Sequence, residues 1–127
     1  ENSIAPVFAY GDPLQEDEIL AHDYRLAFDT SHCFIELHGN NQKLAVSLAH
    51  LKDRTVHYHL VDSMGETHDS LTLGTGKIDW ANVLPHLNPA ATSIYEINLH
   101  DQNNCREQID SHNYLVKLYQ KLNNKGV

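Results

Sequence analysis

Three short apolar segments, each leading into polar residues and each followed by a helix-forming stretch, recur along this chain at intervals of roughly 30 to 40 residues. They are Tyr24 to Asp29, Thr55 to Asp62 and Ser93 to Leu99. The last alternates strictly, with Ile94, Glu96 and Asn98 on one side and Tyr95, Ile97 and Leu99 on the other. After the first comes a helix capped by Asn40 and Asn41 and running to about 53, with Leu44, Leu48 and Leu51 on one face. After the second comes a short helix, Trp80 to Leu84, which Asp79 caps and Pro85 stops. An amphipathic helix over about 107–123 follows the third and buries Leu115, Leu118, Tyr119 and Leu122. Upstream, after Val7 to Gly11, Asp12-Pro13-Leu14-Gln15 starts a further helix over about 13–22. Strand and helix alternating at this spacing predict an α/β fold of right-handed βαβ units on a parallel sheet. In such folds the working residues stand at the carboxyl ends of the strands.

No linker or low-complexity segment divides the 127 residues, and 41% apolar side chains suffice for one core, so residues 1–127 are expected to form a single domain. Nine Lys and Arg against 17 Asp and Glu give a net charge of −8 with no basic cluster, which argues against nucleic acid or an anionic membrane as partner. Neither a leader nor an apolar span of about 20 residues is present, so a cytoplasmic location is expected. Cys33 and Cys105 are too few for a disulfide framework. Ten histidines, by contrast, point toward metal or proton chemistry. The opening Glu1-Asn2-Ser3, without an initiator Met, reads as a chain cut into, hence a fragment.

The polar residues at the segment ends are Glu1, Asp29 with His32, His59 with Asp62, and Glu96. Carboxylates and imidazoles from successive parallel strands converging on one mouth suit a divalent ion such as Mn²⁺, Zn²⁺ or Fe²⁺. Glu96, flanked by Tyr95 and Ile97 in an otherwise apolar strand, is expected to be either ion-paired or bound to metal. Each of the others has a plainer reading. Asp29 can merely cap a turn, His32 can be a loop histidine, and Glu1 occupies a position that ordinarily frays. His57 shares a face with His59 and, lying deeper in its strand, is the better candidate for a packed or supporting histidine. Gly74-Thr75-Gly76 is too short to cradle phosphate and reads as a turn leading back to Asp79. Trp80 reads as packing, Cys33 as a buried small residue, and Cys105 as a loop residue able to approach the mouth.

Several of these segments, in order, resemble the xylose isomerase-like superfamily of (β/α)₈ barrels, which contains sugar phosphate isomerases and epimerases, ketose epimerases and an apurinic endonuclease branch. The similar text is Glu1-Asn2, then Leu26-Ala27-Phe28-Asp29-Thr30-Ser31-His32, like a hydrophobic-DTGH segment. It continues with His57-Tyr58-His59-Leu60-Val61-Asp62-Ser63, like an HxHxxD strand, Leu73-Gly74-Thr75-Gly76-Lys77-Ile78-Asp79, like an LGxGxID loop, and Tyr95-Glu96, like the final strand. The resemblance implies the second half of a TIM barrel, from the end of the fifth strand to the closing helix. Its partner would be the missing N-terminal half-barrel or, in a homodimer, a second copy. It implies that Glu1, Asp29, His59 and Glu96 hold one divalent metal ion, Mn²⁺, Zn²⁺, Co²⁺ or Fe²⁺ with Mn²⁺ or Zn²⁺ favoured. Glu1 and Glu96 would also be the acid/base pair, and His32 and His68 would contact substrate, with His57 and Asp62 supporting the ligands. The implied activity is isomerisation or epimerisation of a sugar or sugar phosphate through a metal-stabilised enediolate.

Departures from the family pattern narrow this reading. Four residues before Gly74, where a histidine is frequent, stands Ser70, with His68 and Asp69 just upstream; six after His59, where ketose epimerases resemble one another in having Arg, stands Gly65. Substrate recognition is therefore expected to differ from theirs. Two alternatives stay open: metal-dependent, endonuclease-like hydrolysis of a phosphodiester, against which the charge and the displaced histidine count, and a non-catalytic half-barrel.

Overall fold

In a computed structural model of the chain, which describes residues 1–5 and 8–124, five α-helices and three strands follow one another, besides two short 3₁₀ turns: α1 (Pro13–Leu20), β1 (Leu26–Asp29), α2 (Thr30–Glu36), α3 (Asn41–Leu51), β2 (Thr55–His59), α4 (Trp80–Val83), β3 (Thr92–Ile94) and α5 (Arg106–Asn124). Val7, in the run before the first helix, lies outside the described residues. The helix starts follow local chemistry. Asp12, Asp29, Asn40 and Asp79 each turn a side-chain oxygen back onto an amide of the first turn, satisfying a donor that the helix itself leaves free.

The three strands lie in the order β1-β2-β3, all parallel. Asp29 is the register partner of His59, and His59 of Ile94, so the carboxyl ends of the strands stand side by side. Phe28 and Tyr58, buried on neighbouring strands, pack at 6.3 Å between ring centroids against the face that α3 covers with Leu44, Leu48 and Leu51. Trp80 and Val83 of α4 complete this cluster.

Some boundaries differ from expectation. Asp29 to His32 are not a strand end running into a loop: Asp29 is the N-cap of α2, whose Cys33 and Phe34 are buried outright, so burial overrides the weak helix preference of Thr30 and Ser31. The third strand ends at Ile94, not Leu99. Among the described residues β3 has one neighbour only and is exposed throughout, and beyond it the backbone leaves the sheet to pair with a loop, Asn98 N–H donating to Ser70 C=O at 3.0 Å. In α5 only Ser111 and Leu115 are buried; Leu118 packs against the core partially and Tyr119 is 58% exposed, because the helix meets the core near Ser111, whose hydroxyl accepts from Leu73 N–H at 3.1 Å.

Candidate metal centre

Asp29 divides its carboxylate between two tasks. One oxygen, Oδ1, accepts from the Ser31 hydroxyl at 2.8 Å and from His32 N–H at 3.0 Å, which is the cap of α2. The other, Oδ2, faces His59 Nδ1 at 3.8 Å. His59, last residue of β2, is also approached at 2.5 Å by Glu1 Oε2 and at 2.5 Å by Glu96 Oε2. One ligand atom from each of Glu1, Asp29, His59 and Glu96 lies within 4.8 Å of all the others.

Such an arrangement could hold a cation. Three carboxylates gathered this closely repel one another unless a positive charge lies between them. His59 Nδ1 is buried and makes no well-aligned hydrogen bond, although oxygens of Glu1 and Glu96 lie 2.5 Å away. Three oxygens and one imidazole nitrogen form a donor set that fits a borderline-hard divalent ion. The setting of Glu96 differs from expectation in one respect. Its side chain is 60% exposed, and that of Glu1 39%, because β3 ends at Ile94 and Glu96 stands on the chain leaving the sheet, with no buried strand around it. What brings Glu96 to His59 is its position two residues past His59's register partner.

His32 and His68 do meet at this mouth. His32 Nε2 lies 2.9 Å from His68 Nε2, and His32 Nδ1 lies 3.0 Å from the C=O of Asn2. A carbonyl only accepts, so Nδ1 carries the His32 proton and, with both rings neutral, His68 Nε2–H is the donor between them. The two rings wall a cleft of about 190 Å³ together with Asp29, Ser70, Glu96 and Asn98. Ser70 sits at φ 49°, a left-handed conformation uncommon for a non-glycine residue, held there by the two bonds from Asn98 to Ser70 C=O and Asp69 C=O, both 3.0 Å. His57 stands edge-on to the His59 ring at 5.1 Å and is itself fixed by the Thr92 hydroxyl at 2.7 Å. Burial first, then the carboxylates of Glu1 and Glu16, push the Tyr10 phenol up to about 12, so it stays a neutral donor to Ala27 C=O.

Asp62 has a different job from the one expected. It is fully buried, and its carboxylate accepts from the amides of Ser63, Gly74, Gly76 and Ile78 and from the Trp80 indole, at 2.8 to 3.2 Å. None of these partners belongs to the ligand cluster; Asp62 organises the loop between β2 and α4. Gly76 is obligatory there, since a Cβ would collide with Asp62 Oδ1 and Ser63 C=O. The Cys105 thiol donates to Gln102 C=O at 3.6 Å in its own loop, and burial pushes the fully covered Cys33 thiol well up, so neither is poised for thiol chemistry. The partners of Asn2, Ser70 and Asn98 are not legible in a lone sequence; only the folded chain reveals what they bind.

No family model matches the chain, and no curated protein matches it. Among the described residues no helix is long and apolar enough to cross a membrane. Among solved structures the chain is similar to a D-tagatose 3-epimerase-like protein, with a TM-score of 0.63 and 23% sequence identity over 81% of this chain, and it spans 37% of the length of that one. A likeness at this level of identity shows the fold: the parallel βα units of this chain correspond to part of a (β/α)₈ barrel.

Proposed function

We propose that this chain carries the metal-binding half of a sugar isomerase or epimerase. The observation that supports it is the convergence of Glu1, Asp29 and Glu96 on His59 Nδ1, buried and without a well-aligned hydrogen bond. A divalent ion bound there would supply Lewis acidity to the oxygens of a hydroxycarbonyl substrate. The chain's own residues do the rest. Glu1 is tied to the β1 side of the sheet and Glu96 follows β3 on the other, so the two carboxylates flank His59 from opposite edges. One can take a proton from the carbon beside the carbonyl while the other returns one. His32 and His68 offer ring nitrogens to substrate hydroxyls, and His57 steadies the His59 ring. The cleft is lined by acidic, imidazole, hydroxyl and amide groups together with Ile97, with no Lys or Arg among its described residues, which favours a polyhydroxylated sugar over a phosphodiester. In this reading residues 1–127 are the second half of the barrel and a first half-barrel, or a second copy, completes the substrate pocket.

The test is elemental analysis of the purified protein with Mn²⁺ titration of wild type and of the Asp29→Ala, His59→Ala double variant, followed by NMR of solvent deuterium entering ketoses. We expect one equivalent of metal in wild type, lost in the variant, and exchange at the carbon beside the carbonyl. Wild-type protein that holds no metal and takes up no Mn²⁺ removes the reading.

A further inference from the structure

We propose that Asn2 is the positioning residue that sets the geometry of this metal centre; the inference rests on the metal reading above. Its side chain is 1% exposed and engages both main-chain groups of a candidate ligand: the amide nitrogen donates to Asp29 C=O at 3.0 Å and the amide oxygen accepts from Asp29 N–H at 2.7 Å. Among the described residues β1 pairs on one side only, with β2, so these two groups point from the outer edge of the sheet, where a further strand would ordinarily satisfy them. Asn2 supplies that pairing with a single side chain. Its own C=O also accepts from His32 Nδ1 at 3.0 Å, which fixes the ring tautomer that faces His68.

Glu1, Asp29 and His32 are thereby coupled through one residue. Glu1 and Asp29 are both anionic and would separate in the absence of a cation; the Asn2 clamp holds their main chains together and leaves the carboxylates aimed at His59. The chemistry needs asparagine. Aspartate has no donor for Asp29 C=O, serine is too short to reach two groups, and glutamine inserts a methylene that shifts Glu1 relative to Asp29.

The experiment measures Mn²⁺ affinity, by the electron paramagnetic resonance of free ion, and the visible spectrum of the Co²⁺-loaded protein, for wild type, Asn2→Ala, Asn2→Ser and Asn88→Ala. Asn88 is the structural control: its amide donates to Lys52 C=O and Thr55 C=O, both 3.1 Å, at the opposite end of β2. We expect Asn2→Ala to weaken Mn²⁺ binding by about ten- to a hundredfold and to alter the Co²⁺ spectrum, as loss of a ligand-orienting partner does. Asn2→Ser should fall between, and Asn88→Ala should lower the melting temperature with affinity unchanged. Should Asn2→Ala not fold, the Asn2→Ser affinity and spectrum decide. Affinity and spectrum equal to wild type in the Asn2 variants, or an equal loss in Asn88→Ala, overturn the proposal. A wild type that binds neither ion overturns the metal reading itself, and this inference with it, and the wild-type arm alone identifies that case.

Discussion

At Asp62 a fully buried carboxylate accepts five hydrogen bonds and faces no cation, and this concentration of donors explains how a charge is tolerated there. Asp62→Ala strands those donors in the interior and should cost on the order of 4 kcal/mol, read as a lower urea midpoint, while the four-ligand cluster keeps its residues. Glu96 makes the contrasting case. Exposed and free of structural bonds beyond His59, it can be changed with little effect on the fold, so Glu96→Gln should leave the unfolding free energy within about 1 kcal/mol of wild type. The same change should reduce turnover by about a hundredfold or more and weaken Mn²⁺ binding; undiminished turnover would remove Glu96 from the chemistry. In the sequence these two acids look alike, each closing an apolar segment. Nothing local distinguishes an acid that anchors a loop from one that faces a cleft.

Among the elements, α1 has the least apolar reason to be where it is. Its buried residue is Glu16, which accepts from Gly11 N–H at 2.8 Å and reaches His50 Nδ1 of α3 at 2.8 Å, while His50 Nε2 lies 2.9 Å from Asp17. A ring with a carboxylate at each nitrogen needs both protons, and hydrogen bonding to Glu16 foremost, then its charge and the Asp17 pairing, raises the His50 pKa above the ordinary 6.5 despite some desolvation. The folded chain therefore holds this proton more tightly than the unfolded chain. Its stabilising effect is complete below about pH 6.5 and is lost as pH rises through the raised value. Urea midpoints should decline over that window, and His50→Gln should flatten the decline; an unchanged slope would show that the proton is not held there. His50→Ala, leaving Glu16 buried without its partner, should cost about 3 kcal/mol. Helix caps at Asp12, Asn40 and Asp79 were legible from the sequence because capping is local. α2 was not legible, since its Thr-Ser start is favoured by burial of Cys33 and Phe34 rather than by propensity.

For the whole molecule the governing fact is a three-stranded parallel sheet whose β3 edge is exposed along its length and whose β1 edge is met by Asn2 at Asp29. Phe8 and Tyr24, 64% and 56% exposed, line a groove beside Leu26 of β1. Unpaired edges with apolar groups alongside favour association, so the 14.4 kDa chain should show a concentration-dependent mass above the monomer in light scattering; a strictly monomeric mass at high concentration would contradict this. By itself the sequence determined the α/β class, the parallel order and the α3 face of Leu44, Leu48 and Leu51, and it marked three acids and one imidazole, Glu1, Asp29, Glu96 and His59, as candidates, because apolar periodicity and segment-end position are written in local order. Tertiary structure alone decided that Glu96 lies open beyond a short β3, that Asp62 serves a loop, and that Asn2 joins Glu1 to Asp29. Those outcomes depend on which groups the folded chain brings together, and hydrogen bonds such as Asn2 to Asp29, 27 residues apart, and Thr30 to Val61, 31 apart, leave no periodic trace in the sequence that makes them.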